Sequence, residues 1–137
     1  MVEISISYYG NLRCLANHGP SGAVIQTDAP VDNHGQGAAF SPTDLTAASL
    51  GVCMMTVMGI AAQSRGIELT GATLNVKKHM SDSPPRRIAA LDVDVFLPIP
   101  SADPNCHVLE KVGRHCPVAL SLHPDLEQRI TFRWNDQ

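Results

Sequence analysis

Two cysteines set among apolar residues are the groups in this chain best placed to do chemistry. Cys53 lies in Ser49-Leu50-Gly51-Val52-Cys53-Met54-Met55-Thr56, inside an uncharged stretch. Cys116 lies in Gly113-Arg114-His115-Cys116-Pro117-Val118, directly before a proline. Two thiols can form a redox couple, ligate a metal, or fill a core as small hydrophobes.

A metal site is the weaker reading. Cys106-His107 and His115-Cys116 offer four good ligands within eleven residues. If one helix carries both pairs, His107 and Cys116 fall on opposite faces about 13 Å apart along its axis, and Cys106 and Cys116 about 15 Å apart. A tetrahedral zinc ion needs its ligands about 2 Å away. The core reading suits Cys14, on a strand, and Cys106, near a helix start. Cys53 sits too far past its helix start for the N-terminus alone to activate it, so it needs a cation from elsewhere. Cys116 differs. Pro117 suits the first turn of a new helix, so Cys116 is placed to cap a short turn over Pro117 to Leu122. There the backbone donors, with Arg114 or His115 nearby, would favour its thiolate.

Positioning these thiols requires a folded core. The chain has 137 residues, 44% of them hydrophobic and 17% charged, which suits one domain spanning residues 1–137. The net charge of -3 comes without charge runs, which gives no support to a nucleic-acid footprint or an anionic-membrane surface. The N-terminus has no basic and apolar leader pattern, and four cysteines in so apolar a chain do not make a disulfide scaffold. A reducing cytoplasm is expected. Leu45 to Ala62 carries no charge, yet it is rich in Ala, Gly, Ser and Thr, without aromatic flanks; a core helix fits better than a membrane span.

Val2, Ile4, Ile6 and Tyr8 alternate with polar residues and Tyr9, the pattern of a half-buried strand. Leu12 to Asn17 and Ala23 to Thr27 read as two more strands around the turn His18 to Gly22, and Asp28 to Phe40 as a loop. Ser41-Pro42-Thr43-Asp44 opens a helix with a capping-box-like pattern; it runs to Arg65 and stops at Gly66. A helix so long and so apolar must be surrounded. Ala72 to Lys77 and Ala89 to Leu97 alternate as strands about a connection at Pro84-Pro85. Ser101 or Asp103 caps a second helix with Val108, Val112 and Cys116 on one face, and Leu126 to Trp134 is a last strand. Strands, long helix, two strands, helix, strand is not strict βα alternation, so the expected class is α+β with antiparallel sheets.

Taken together, the proline-led helix Ser41-Pro42-Thr43-Asp44-Leu45, the segment Ala47 to Cys53, and Cys116-Pro117-Val118 at the right distance downstream resemble the OsmC/Ohr family of osmotically inducible and organic hydroperoxide resistance proteins. The resemblance implies antiparallel sheets around a long apolar helix in an intertwined homodimer, with active sites at the interface. It also implies a thiol peroxidase acting on organic hydroperoxides and less efficiently on hydrogen peroxide, in oxidative-stress defence. Cys53 would attack the peroxide and Cys116 would resolve the sulfenic acid as a disulfide. No cofactor is implied; an external dithiol, typically a protein-bound lipoyl group, restores the pair.

The chain departs from the best-studied branch. That branch has a glutamate directly after the proline, holding a catalytic arginine from the N-terminal strands. Here the position is Thr43 and the carboxylate moves to Asp44, a step of about 100° around the helix. Asp44 is read first as a cap and second as a catalytic carboxylate. Arg13 is the nearest arginine candidate. His18 is a possible donor, with a solvated turn histidine as its plainer reading. The cation that activates Cys53 is unassigned. Two alternatives stand beside the peroxidase: a non-catalytic protein of the same fold that binds or senses a small electrophile or apolar ligand, and a zinc-binding module.

Overall fold

The computed structural model describes residues 1–137, which form two compact units, Met1–Thr46 and Ala47–Gln137. The first unit holds an antiparallel sheet in which β1 (Ile4–Tyr8) pairs with β2 (Arg13–His18) and β2 with β3 (Val24–Asp28). Alternation predicts a half-buried β1, but Ile4, Ile6 and Tyr8 are 58%, 68% and 65% exposed, so a single chain leaves this strand open on both faces. The β1–β2 turn passes through Gly10, Asn11 and Leu12, with φ of 91°, 54° and 60°. Glycine and asparagine adopt that region readily; a leucine there is unusual.

The capping pattern at Ser41 forms as the sequence predicts. The Ser41 Oγ accepts the Asp44 N–H at 3.1 Å, and the Asp44 carboxylate accepts the Ser41 N–H at 2.9 Å. Two of the orphan donors at the start of α1 (Pro42–Gln63) are thereby satisfied. The far end closes around Gly66, at φ 67°. Ile67 N–H reaches the Ala62 carbonyl at 3.0 Å and Gly66 N–H the Gln63 carbonyl at 3.2 Å, a left-handed stop that only glycine adopts at little steric cost.

In the second unit Ala47, Leu50, Gly51, Met54, Met58 and Ala62 form the buried face of α1. They pack with Leu91, Val93, Val95 and Leu97 of β5 (Ile88–Leu97) in one core. The sheet order is β4-β5-β6, with β4 spanning Thr73–Met80 and β6 Glu127–Trp134. β4 and β5 are antiparallel, but β5 and β6 run parallel, with Val93 opposite Ile130, which corrects the expectation of antiparallel sheets throughout. The connection between them carries α2 (Cys106–Arg114) and α3 (Pro117–Ser121), the kind of long crossover that parallel neighbours require. The outer face of this sheet is charged: Asp92 meets His79 at 2.6 Å and Arg129 at 3.3 Å, and Arg133 meets Asp94 at 3.4 Å.

Three further expectations change. The cap of α2 is Asn105, not Ser101 or Asp103, because the Asp103 carboxylate folds back onto the Asn105 N–H at 2.8 Å and shapes the approach instead. The helix ends at Arg114, so its buried residues are Leu109 and Gly113, and Cys116 lies beyond it. Nor is α1 surrounded within one chain, since Val52 and Ile60 are 67% and 63% exposed. Its length and composition alone would suit a membrane span; its buried face in the core of the second unit is the mark of a core helix.

Leu50 is fully buried on the face of α1 that meets the core. Leu50→Ala is expected to destabilise the protein by about 2–5 kcal/mol, since both the transfer energy and the contacts around the void are lost. Urea unfolding at neutral pH checks this.

Candidate functional site

Cys53 and Cys116 are brought together. Cys53 projects from α1 half-buried against the core, and Cys116 is fully buried within that core. Cys53 is near enough to act on the Cys116 thiol. Gly51, two residues before Cys53, sets how near this part of α1 comes to β4: a Cβ there would stand 2.7 Å from Leu74 Cδ2 and 3.1 Å from Val76 Cγ2.

Cys116 is the N-cap of α3, as its place before Pro117 predicts. Its backbone is extended, and its sulfur accepts the Ala119 N–H at 3.4 Å. The expectation of a favoured thiolate is not met. Burial pushes the Cys116 thiol up from its ordinary value, the Ala119 amide opposes that rise, and the neighbouring Cys53 adds to it. The basic neighbours are turned to other partners. Arg114 donates to the Ile130 carbonyl at 3.2 Å, lies 3.8 Å from Glu110, and stacks 5.2 Å over the Phe132 ring. The His115 ring meets the Lys111 carbonyl at 2.8 Å. A sequence shows that basic residues are adjacent, not which way a helix C-terminus points them.

The other two candidates are held in the first unit. Arg13 donates to the Gln36 side chain at 3.1 Å and stands 3.7 Å from the Asp28 carboxylate. Asp28 is 2% exposed, although the sequence places it at the head of a loop. Its carboxyl is held below the usual range chiefly by the Ala38 N–H, which it accepts at 3.0 Å, against the opposing effect of burial and with help from Arg13. Asp44 caps α1, the first of its two readings. His18 meets Ser21 Oγ at 2.6 Å within its turn.

Cys14 is half-buried in β2, and Cys106 is half-buried with its thiol donating to the Pro100 carbonyl at 3.4 Å. Burial, with Asp103 and Glu110 nearby, raises the Cys106 thiol. No group of three or more His, Cys, Asp or Glu side chains gathers as a metal site. The paired ligand types around α2 therefore do not converge.

A family model described as OsmC-like protein matches residues 35–130. The chain belongs to the OsmC-like family. A solved candidate osmotic-stress-induced and detoxification-response protein from Psychrobacter arcticus 273-4 is 40% identical, with a TM-score of 0.91 over 97% of this chain and 96% of that one. An organic hydroperoxide resistance protein OsmC from Legionella pneumophila superposes with a TM-score of 0.76 at 13% identity, over 96% of each chain. One from Elizabethkingia anophelis gives 0.77 at 15% identity, over 98% of each. At those identities the last two show the shared fold alone. No curated sequence matches the chain. The OsmC-like fold thus carries Cys53 on its long helix and Cys116 at the head of a five-residue one.

The raised Cys116 thiol has a consequence for stability. Above the ordinary thiol value of 9.0, the folded protein holds the Cys116 proton more tightly than the unfolded chain does. Stability of the reduced protein should therefore fall as pH rises from about 9 through the folded-state value. Urea midpoints between pH 7 and 10.5 in excess reductant should decline more steeply for the native sequence than for Cys116→Ala.

Proposed function

We propose that this OsmC-like protein is a cysteine-based thiol peroxidase that reduces organic hydroperoxides, and hydrogen peroxide less efficiently, as part of oxidative-stress defence in the cytoplasm. The observation that carries the reading is the meeting of the Cys53 and Cys116 thiols in one core, the first half-buried and the second fully buried. Hydroperoxide resistance proteins among the structures of the same fold support it.

In this scheme the Cys53 thiolate attacks the terminal peroxide oxygen. The O–O bond breaks, the alkoxide leaves and takes up a proton as the alcohol, and Cys53 becomes a sulfenic acid. Cys116 then attacks the Cys53 sulfur. The S–O bond breaks, water leaves, and a disulfide joins the two residues. An external dithiol, such as a protein-bound lipoyl group, reduces that disulfide and is itself oxidised. Burial suits Cys116 to this second role. A resolving thiol need lose its proton only when a sulfenic acid stands beside it, and proximity substitutes for a standing thiolate. Asp44 serves this scheme by capping α1, the helix that carries Cys53, while Arg13 is paired with Asp28.

The active form in this reading is a homodimer. Ile4, Ile6 and Tyr8 on β1, Val52 and Ile60 on α1, and Leu120 are all large, apolar and more than half exposed in one chain. A second copy would remove them from water.

One equivalent of an organic hydroperoxide should consume two thiols of the reduced protein, leaving a Cys53–Cys116 disulfide by peptide mapping. Cys116→Ser should stop at a sulfenic or over-oxidised Cys53, and Cys53→Ser should leave the peroxide intact. If the native thiols survive while peroxide persists, the peroxidase reading fails and binding or sensing of an electrophile replaces it. In sedimentation, the native protein should have twice the chain mass, and Val52→Asp or Ile60→Asp should shift it toward a monomer.

A further inference from the structure

Gln128 stands where the strand pattern calls for an apolar residue. On β6 the outward residues Glu127, Arg129, Thr131 and Arg133 alternate with the half-buried row Gln128, Ile130, Phe132 and Trp134. The last three pack against the core. Gln128 opens that row, opposite the fully buried Leu91 on β5. An amide placed there loses water and must find a partner. It finds the backbone of α3: Gln128 Nε2 donates to the Ala119 carbonyl at 3.0 Å.

That carbonyl belongs to the residue whose N–H points at the Cys116 sulfur. α3 has five residues, too few to hold a helical shape by its own hydrogen bonds. Inside it, Leu120 N–H reaches the Cys116 carbonyl at 3.1 Å and Ser121 Oγ the Pro117 carbonyl at 2.7 Å. These bonds close the turn on itself but do not fix it to the sheet. Gln128 does, from the strand laid down after the turn.

We propose that Gln128 is a positioning residue for Cys116, latching the α3 turn to β6 so that the buried thiol faces Cys53 and not solvent. The latch makes two demands that ordinary structural support does not. Its loss should make Cys116 easier to reach from outside and at the same time slower to be captured by Cys53, because one freedom serves both. The second demand rests on the reading of the two cysteines as a working pair; the first does not.

The test uses the full-length protein and no peroxide. In a Cys53→Ser background, iodoacetamide labelling of Cys116 at pH 8, followed by peptide mass mapping, should run about fivefold faster in Gln128→Met, the factor carried by one ordinary hydrogen bond. With both cysteines present, equilibration with glutathione, in which two protein thiols pass two electrons and two protons to one glutathione disulfide, should give an effective concentration for the Cys53–Cys116 bond about fivefold lower in Gln128→Met. Gln128→Lys keeps a donor on a stem of similar reach and should return both values to within about twofold of the native ones. Should Gln128→Met fail to fold, Gln128→Asn, whose amide is one methylene short, provides the same comparison. The proposal is overturned if labelling is unchanged in the variant lacking the donor, or if Gln128→Lys behaves as that variant does. If the native protein forms the disulfide with glutathione but ignores hydroperoxide, the peroxidase reading falls and the latch stands.

Discussion

The contact on which the second unit depends is the seating of α1 against β4 and β5. Its buried face has a residue with no side chain at the tightest point, Gly51, where a Cβ would drive into Leu74 and Val76. The absence of one methyl group lets the helix lie close, and Leu50 and Met54 on either side are then sealed from water. The position of Cys53 follows from this seating and not from any bond of its own. A second close approach repeats the device: at Gly113 of α2 a Cβ would come within 3.1 Å of Met58 Sδ and 3.4 Å of Phe132 Cζ. A glycine therefore stands at each close approach, on α1 itself where the sheet meets it and on α2 where that helix meets α1, and flexible methionines fill the irregular remainder.

Burial falls unequally on the thiol pair: Cys116 is sealed in the core and Cys53 only half-buried. Cys116 is held as a neutral thiol by its surroundings, with one amide donor from Ala119 as partial relief. Its basic neighbours contribute to stability elsewhere: Arg114 ties α2 to β6 through the Ile130 carbonyl and the Phe132 ring. In the first unit a similar division occurs. Asp28 is kept ionised by backbone amides more than by Arg13, so the arginine is the lesser partner in that pair and its remaining donor capacity is shared with Gln36.

Local signals in the sequence translated well because the physics behind them is local. Ser41-Pro42-Thr43-Asp44 contains its own capping bonds, Gly66 its own left-handed turn, and Cys116-Pro117 its own helix start. The strand alternations located β4, β5 and β6 to within a residue or two at most ends. What could not be read was what depends on pairing at a distance. Alternation gives a strand its faces but not its direction, so the parallel β5–β6 pair was out of reach. Asp28 looked like a loop residue because its burial comes from the register that sets it opposite Arg13 and from the chain folding back at Ala38. Gln128 looked like any polar residue on a half-exposed strand until the face was known.

The unburied apolar surface follows from the same principles and bounds what one chain can be. An alternating strand that is open on both faces, as β1 is, contributes hydrogen bonds to its sheet but almost no hydrophobic stabilisation. A helix as apolar as α1 gains from its sheet-facing side only, while Val52 and Ile60 remain in water on the other. Both features are the sort that selection removes from a monomer, because an exposed apolar strand edge invites unwanted pairing. The proposed homodimer would cover both. Under that proposal the low charge fraction of 17% belongs to a surface with less need of solvation, and not to the core alone.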